Sequence, residues 1–247
     1  MRTKALLIAA AAMAAGVVSS QAQVYSQNIV GYVNQPLQVG YNNIANPLDS
    51  STGNSLTNII ANPVGNFDGT FVYLWNGTSF TIIQYDSSMS TGMANSSDTA
   101  AVPSPTINPG TGIYFNNQYA AVTNTFVGQV HIDSGTYPGT STNTLSSTPT
   151  YSLASSVLPI AGGISSVLGL TNSAGALDGT FLYLPNINAA GTFLGYNIVQ
   201  FDSSQTTGFA NSSDSAAVPE PVLSVGASLL INNQSGAPIS WVQSIGQ

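Results

Sequence analysis

The side chains in this sequence able to move protons or bind hard metals are nine carboxylates and one histidine, and six of the carboxylates fall in matched positions. Asp68 matches Asp178, Asp86 matches Asp202, and Asp98 matches Asp214. Asp86 to Asp98 and Asp202 to Asp214 each bracket a loop of Ser, Thr, Asn and Gly, which offers the oxygen donors that Ca²⁺ takes. Calcium at Asp86, Asp98, Asp202 and Asp214 is therefore one reading. The spacing matches no standard calcium loop, and two carboxylates per loop are few for a strong site. The other reading is local: Asp closes strands and accepts hydrogen bonds from turn amides, and duplication copies it.

The motifs Asp68-Gly69-Thr70 and Asp178-Gly179-Thr180 raise the question of a carboxylate dyad sharing one proton. Aspartic proteases use the order Asp-Thr/Ser-Gly, which is reversed here, so both motifs read more naturally as turns that launch strands. A dyad would require Asp68 and Asp178 to face each other across a cleft. His131 is the one candidate imidazole base; it has no copy in the second half and no Gly-x-Ser-x-Gly nucleophile motif accompanies it. Aromatic residues crowd the first half, among them Tyr41, Tyr73, Trp75, Tyr85 and Tyr114. They could stack on sugar rings or fill a sandwich core. The exchange of Trp75 for Pro185 argues against two equivalent sugar sites.

Charge excludes more than it suggests. Arg2 and Lys4 are the only basic residues other than His131. They precede an Ala-rich apolar run and the small-x-small pattern Ser20-Gln21-Ala22, so residues 1–22 read as a signal peptide cut after Ala22. Gln23 then heads the mature chain, which gives a lipoprotein-type anchor no Cys to attach to. Without Lys or Arg, phosphate neutralisation, and hence nucleic-acid binding, is excluded, as are Schiff-base lysines and arginine clamps. The sequence has no Cys, so neither disulfides nor thiol chemistry contribute. Because no cation holds a carboxylate ionised, acid is expected to cost the fold little.

An internal repeat organises the remainder. Ile82 to Gln118 aligns without a gap to Ile198 to Gln234, with about 21 identities in 37 positions. The offset grows from 110 to 116 between Trp75 and Phe80, a six-residue insertion in the second copy. At the front, Tyr41-Asn42-Asn43-Ile44-Ala45 corresponds to Tyr151-Ser152-Leu153-Ala154, and Val30-Gly31-Tyr32-Val33 resembles Val127-Gly128-Gln129-Val130. That second match implies a long Thr/Ser/Pro-rich connection from about His131 to Pro149. Short period-2 or apolar runs predict strands at 28–33, 70–75, 80–85, 111–115, 124–132, 180–184, 196–201, 227–231 and 239–245. Leu56–Ile60 and Ile164–Leu168 each suit one helical turn. The expectation is an all-β chain of two tandem duplicated, sandwich-like units of about 110 residues, 23–135 and 136–247, or one continuous sandwich built from both.

The segments Val24-Tyr25-Ser26-Gln27-Asn28-Ile29-Val30-Gly31-Tyr32-Val33-Asn34, Tyr41-Asn42-Asn43-Ile44-Ala45-Asn46-Pro47-Leu48 and Asn108-Pro109-Gly110-Thr111-Gly112-Ile113-Tyr114-Phe115 together resemble an exported, internally duplicated, β-rich family of verrucomicrobial bacteria. The resemblance spans most of the mature chain. It implies export and duplication and transfers no catalytic or binding residue. In the second copy Ser224-Val225-Gly226-Ala227-Ser228 replaces Asn108-Pro109-Gly110-Thr111-Gly112, so that turn is expected to differ.

The reading is thus an exported, non-enzymatic structural, surface or extracellular-matrix protein, placed outside the cell, at its surface or in the periplasm. It would act by self-association or by contact with a surface polymer, since little charge opposes close approach. The alternative is a carbohydrate-binding module with calcium-ordered loops.

Overall fold

The computed structural model describes residues 29–62, 65–147 and 151–246. The expected signal peptide and the stretch from Gln23 to Asn28, including the start of the first predicted strand, lie outside the described residues. In chain order the first half forms β1 (Val30–Leu37), β2 (Gly40–Ala45), one helical turn α1 (Leu56–Ile59), β3 (Phe71–Trp75), β4 (Phe80–Tyr85), β5 (Met93–Asn95), β6 (Gly112–Asn117) and β7 (Val122–Gln129). The second half forms β8 (Gly139–Leu145), β9 (Tyr151–Ala154), β10 (Gly162–Gly163), β11 (Phe181–Ile187) and β12 (Phe193–Phe201). It ends with β13 (Phe209–Asn211), β14 (Val222–Leu223), β15 (Leu229–Asn232) and β16 (Ile239–Ile245).

The chain is all-β, and its sheets are antiparallel. Each half supplies a five-stranded sheet, β2-β6-β3-β4-β5 or β9-β15-β11-β12-β13, and a two-stranded ribbon, β1-β7 or β8-β16. The alternation along β3 shows why the sheets take two partners: Val72 is fully buried on one face while Tyr73 and Trp75 point to the other. On the Val72 face, Ile83, Ile113 and Phe115 meet Leu37 and Phe126 from the first ribbon. In the second half, Leu182, Phe201, Leu229 and Ile231 meet Leu145, Ile239 and Trp241 in the same way. Each of these fully buried side chains contributes about 1.5–3 kcal/mol of apolar transfer.

The opposite faces of the two large sheets meet each other. Buried Tyr114, Leu153 and Leu230 lie at the centre of this third cluster, edged by Tyr73, Trp75, Phe80, Tyr151, Tyr183 and Tyr196. The rings pack edge to face, Trp75 on Tyr151 at 6.2 Å and Tyr183 on Tyr196 at 5.7 Å, the geometry that ring quadrupoles favour. The seam is reciprocal. Ile44 bridges Ala227, and Ala154 bridges Thr111. The Ala45 amide donates to the Gly226 carbonyl at 2.7 Å, and the Ser155 amide donates to Gly110 at 2.9 Å. Under the sequence alignment these are the same contacts seen from either half, the self-complementary logic of a twofold interface within one chain.

Several expectations need correction. Gly139–Leu145, read as connection, is strand β8, because Thr140, Thr142 and Thr144 face outward while Ser141 and Leu145 are buried. Val30–Val33 is not the counterpart of Val127–Val130; β1 and β7 are hydrogen-bonded partners, with Tyr32 opposite Val127. Ile164–Leu168 is a turn closed by Leu168 donating to Gly163, not a helix. The strands β2, β5, β9, β10, β13 and β14 lie outside the predicted ones, and each is only two to six residues long.

Candidate functional site

Each proposed calcium pair is brought together on one loop. Asp98 lies within hydrogen-bonding reach of Asp86, and Asp214 of Asp202. The Asp86 carboxylate accepts the Ser88 amide at 2.8 Å, and Asp202 accepts that of Ser204 at 2.8 Å. The Ser88 and Ser204 hydroxyls and amides hold Asp86 and Asp202 below the usual carboxylate range. Asp98 and Asp214 adopt left-handed backbone, φ 57° and 56°, which Asp tolerates better than most residues. Among the described residues no three acidic or histidine side chains converge as a metal-holding group. What these loops visibly do is close themselves.

Asp68 and Asp178 act in the same manner. Asp68 accepts Asn62 Nδ2 at 2.8 Å, the Ser87 amide at 2.8 Å and the Ser87 hydroxyl at 2.6 Å. Asp178 repeats the set with Asn172 and Ser203 at 2.6–2.7 Å. Each carboxylate is thus spent tying the loop that enters one strand to the turn that leaves the next, β3 and β4 or β11 and β12, which supports the turn reading over the dyad. His131 sits between Asp49, 2.6 Å from Nδ1, and Asp133, 3.5 Å from Nε2. Ser141 hydrogen-bonds the His131 carbonyl, not its ring, so this contact makes no nucleophile–base pair.

Two concave surfaces lie along the seam. A groove of about 490 Å³ is lined by Gln35, Gln38 and Tyr41 from the first half and by Pro185, Ile187 and Asn188 from the β11–β12 hairpin. A second, of about 360 Å³, is lined by Trp75, Asn76, Asn143, Ser146, Tyr151 and Ser152. The alignment makes them counterparts, with Tyr41 matching Tyr151 and Pro185 matching Trp75.

Two different devices close the same edge position. In the larger groove the six-residue insertion carries Gly191 onto β2, where its carbonyl accepts the Tyr41 amide at 2.9 Å. No side chain fits there, since a Cβ on Gly191 would lie 1.6 Å from the Val39 oxygen. In the smaller groove the hairpin is short, and Trp75 Nε1 instead donates to the Tyr151 carbonyl at 2.6 Å. Sequence reasoning noticed both the insertion and the Trp-to-Pro exchange. It missed that they occupy matching places on one seam.

No protein-family model matches this chain, and neither a curated protein nor a solved structure matches it. Among the described residues no helix is long and apolar enough to cross a membrane.

Proposed function

We propose that this is an exported, non-enzymatic surface or matrix protein that works by self-association, and that the β1–β7 ribbon carries the contact. The supporting observation is its outward face. Tyr32 is 74 % exposed and stands directly opposite Val127, 48 % exposed, with Val30 at 57 % beside them. The rest of that face is Asn34, Pro36, Thr123 and Thr125, all uncharged. Among the described residues β1 pairs only with β7, so one of its edges also lacks a strand.

A second copy of the chain suits this surface. A neutral, flat patch meets its own copy without charge repulsion, and a twofold contact would place Tyr32 and Val127 of each copy against the other. The second ribbon shows a similar uncharged face of Thr140, Thr142 and Thr144 opposite Ser244, Val242 and Ser240. A non-enzymatic role is supported by the commitment of Asp68, Asp86, Asp178 and Asp202 to loop closure.

Light scattering on the purified chain from Gln23 onward, across a concentration series, tests this reading. The expected result is mass that rises with concentration and collapses to a monomer in Tyr32→Lys/Val127→Lys. A monomer at every concentration, or assembly that survives the double substitution, would overturn it.

A further inference from the structure

We propose that the larger seam groove binds a neutral saccharide, presenting amides to its hydroxyls and an apolar wall to its C–H faces. This goes beyond self-association and uses a different surface. The volume of about 490 Å³ falls within the range of small-molecule sites. Of the residues lining it only Tyr41 can titrate, so nothing there compensates a bound carboxylate, phosphate or ammonium. The chain's net charge of −7 repels anions further. The lining thus favours an uncharged ligand, and its amides favour one rich in hydroxyls.

The groove is divided by chemistry. Tyr41, Pro185 and Ile187 supply apolar surface, and Tyr41 is steadied by the Phe193 ring at 6.2 Å. Gln35, Gln38 and Asn188 supply amides. Among the described residues the side-chain amides of Gln35 and Gln38 make no hydrogen bond, while their backbones are fixed. Gln35 is paired across the ribbon with Asn124. The Gln38 amide and carbonyl are both held by buried Asn42, at 2.7 and 2.8 Å. Asn188 uses its Oδ1 on the Ala190 and Thr192 amides at 3.0 and 2.9 Å, which orients its NH₂ group. Donors and acceptors without internal partners can be taken by a ligand without breaking an existing hydrogen bond.

The same geometry argues against an added peptide strand. β2 borders the groove, but its Tyr41 and Ala45 amides are already taken by Gly191 and Gly226, so no continuous ladder is available. The smaller groove provides an internal contrast, since Trp75 spends its indole N–H on Tyr151 and Asn143 spends its NH₂ on Gly110 and Ser155.

Affinity electrophoresis through gels containing dextran, laminarin or galactomannan, with alginate as an anionic control, tests the proposal. It is run on the Tyr32→Lys/Val127→Lys chain as well as the unaltered one, so that assembly and binding are read separately. The expected result is retardation by at least one neutral polymer and none by alginate, in both backgrounds. Gln35→Ala/Gln38→Ala should weaken it about tenfold, two hydrogen bonds' worth, with an unchanged thermal midpoint. The exposed Gln38→Glu serves as a second variant if the double one is unstable, and Gln118→Ala, outside both grooves, should leave retardation intact. Retardation by no neutral polymer, by alginate alone, or undiminished in the glutamine variants would overturn the proposal, whatever the fate of self-association.

Discussion

At the scale of single residues, Asp68, Asp86, Asp178 and Asp202 accept the hydrogen bonds that close loops, and in the turns at Asp98 and Asp214 the acceptors are Asn95 and Asn211. Asp98 and Asp214 are the informative cases, because their left-handed backbone and their carboxylates can be tested apart. If the loop closes itself, Asp98→Asn should be nearly silent, since Asn tolerates this conformation as well as Asp does. Asp98→Ala should cost about 1 kcal/mol from backbone strain. Thermal midpoints of the two variants, taken with EDTA and with roughly 5 mM calcium, which exceeds the range of weak extracellular sites, decide the matter. The local reading predicts no response to calcium in the unaltered chain. A rise of several degrees with calcium, abolished by Asp98→Asn, would instead place an ion between Asp86 and Asp98.

Among elements, the seam carries the argument. Gly112 on β6 is where the halves come closest: a Cβ there would lie 2.6 Å from the Ser228 Cβ and 2.9 Å from the Leu153 side chain. Ser228 is the aligned residue of the other half and hydrogen-bonds Asn43 across the seam, so only one of the two positions has room for a side chain. Gly112→Val is therefore expected to destabilise by about 1–3 kcal/mol through overpacking, measured by denaturant midpoint. Gly179→Ala, whose Cβ meets nothing within 4 Å at φ 78°, should show only backbone strain. An unchanged midpoint for Gly112→Val would mean that the sheets are not pressed together there. The repeat, the hairpin strands and the aromatic residues were legible in the sequence because each is a local pattern. The face-to-face packing was not, since period-2 alternation shows that a strand has two faces but not what covers the second. The strand β8 escaped because Thr-Ser-Thr-Asn-Thr carries no apolar alternation and declares itself only through its pairing with Val242 and Trp241.

For the whole molecule, acid stability is where charge composition alone misleads. The absence of Lys and Arg beyond Lys4 suggested that acid would cost little, yet neutral donors take the place of cations. The Ser203 hydroxyl, helped by Asn172 and the Ser203 amide, holds Asp178 below its ordinary 3.8. Burial pushes Glu220 up, but the Ser166 amide and hydroxyl and the Ser165 amide outweigh it and leave the group below 4.5. Asp86 and Asp202 are lowered likewise. A carboxylate depressed in the folded state contributes stability that is present above its unfolded pKa and lost as pH falls through the folded value. The thermal midpoint should therefore be level between about pH 7 and pH 5 and drop toward pH 3, the loss developing below the ordinary values of 3.8 and 4.5. Because these groups are largely solvent-exposed, each contributes modestly, and the drop is a sum over four. Since the partners are amides and hydroxyls in direct contact, the drop should persist in high salt, whereas attraction between separated surface charges would be screened. Asp178→Asn/Glu220→Gln should lower the midpoint at pH 7 and narrow the difference between pH 7 and pH 3. A midpoint as high at pH 3 as at pH 7 would show that these hydrogen bonds survive protonation and would return the molecule to the charge-indifferent behaviour that its composition suggests.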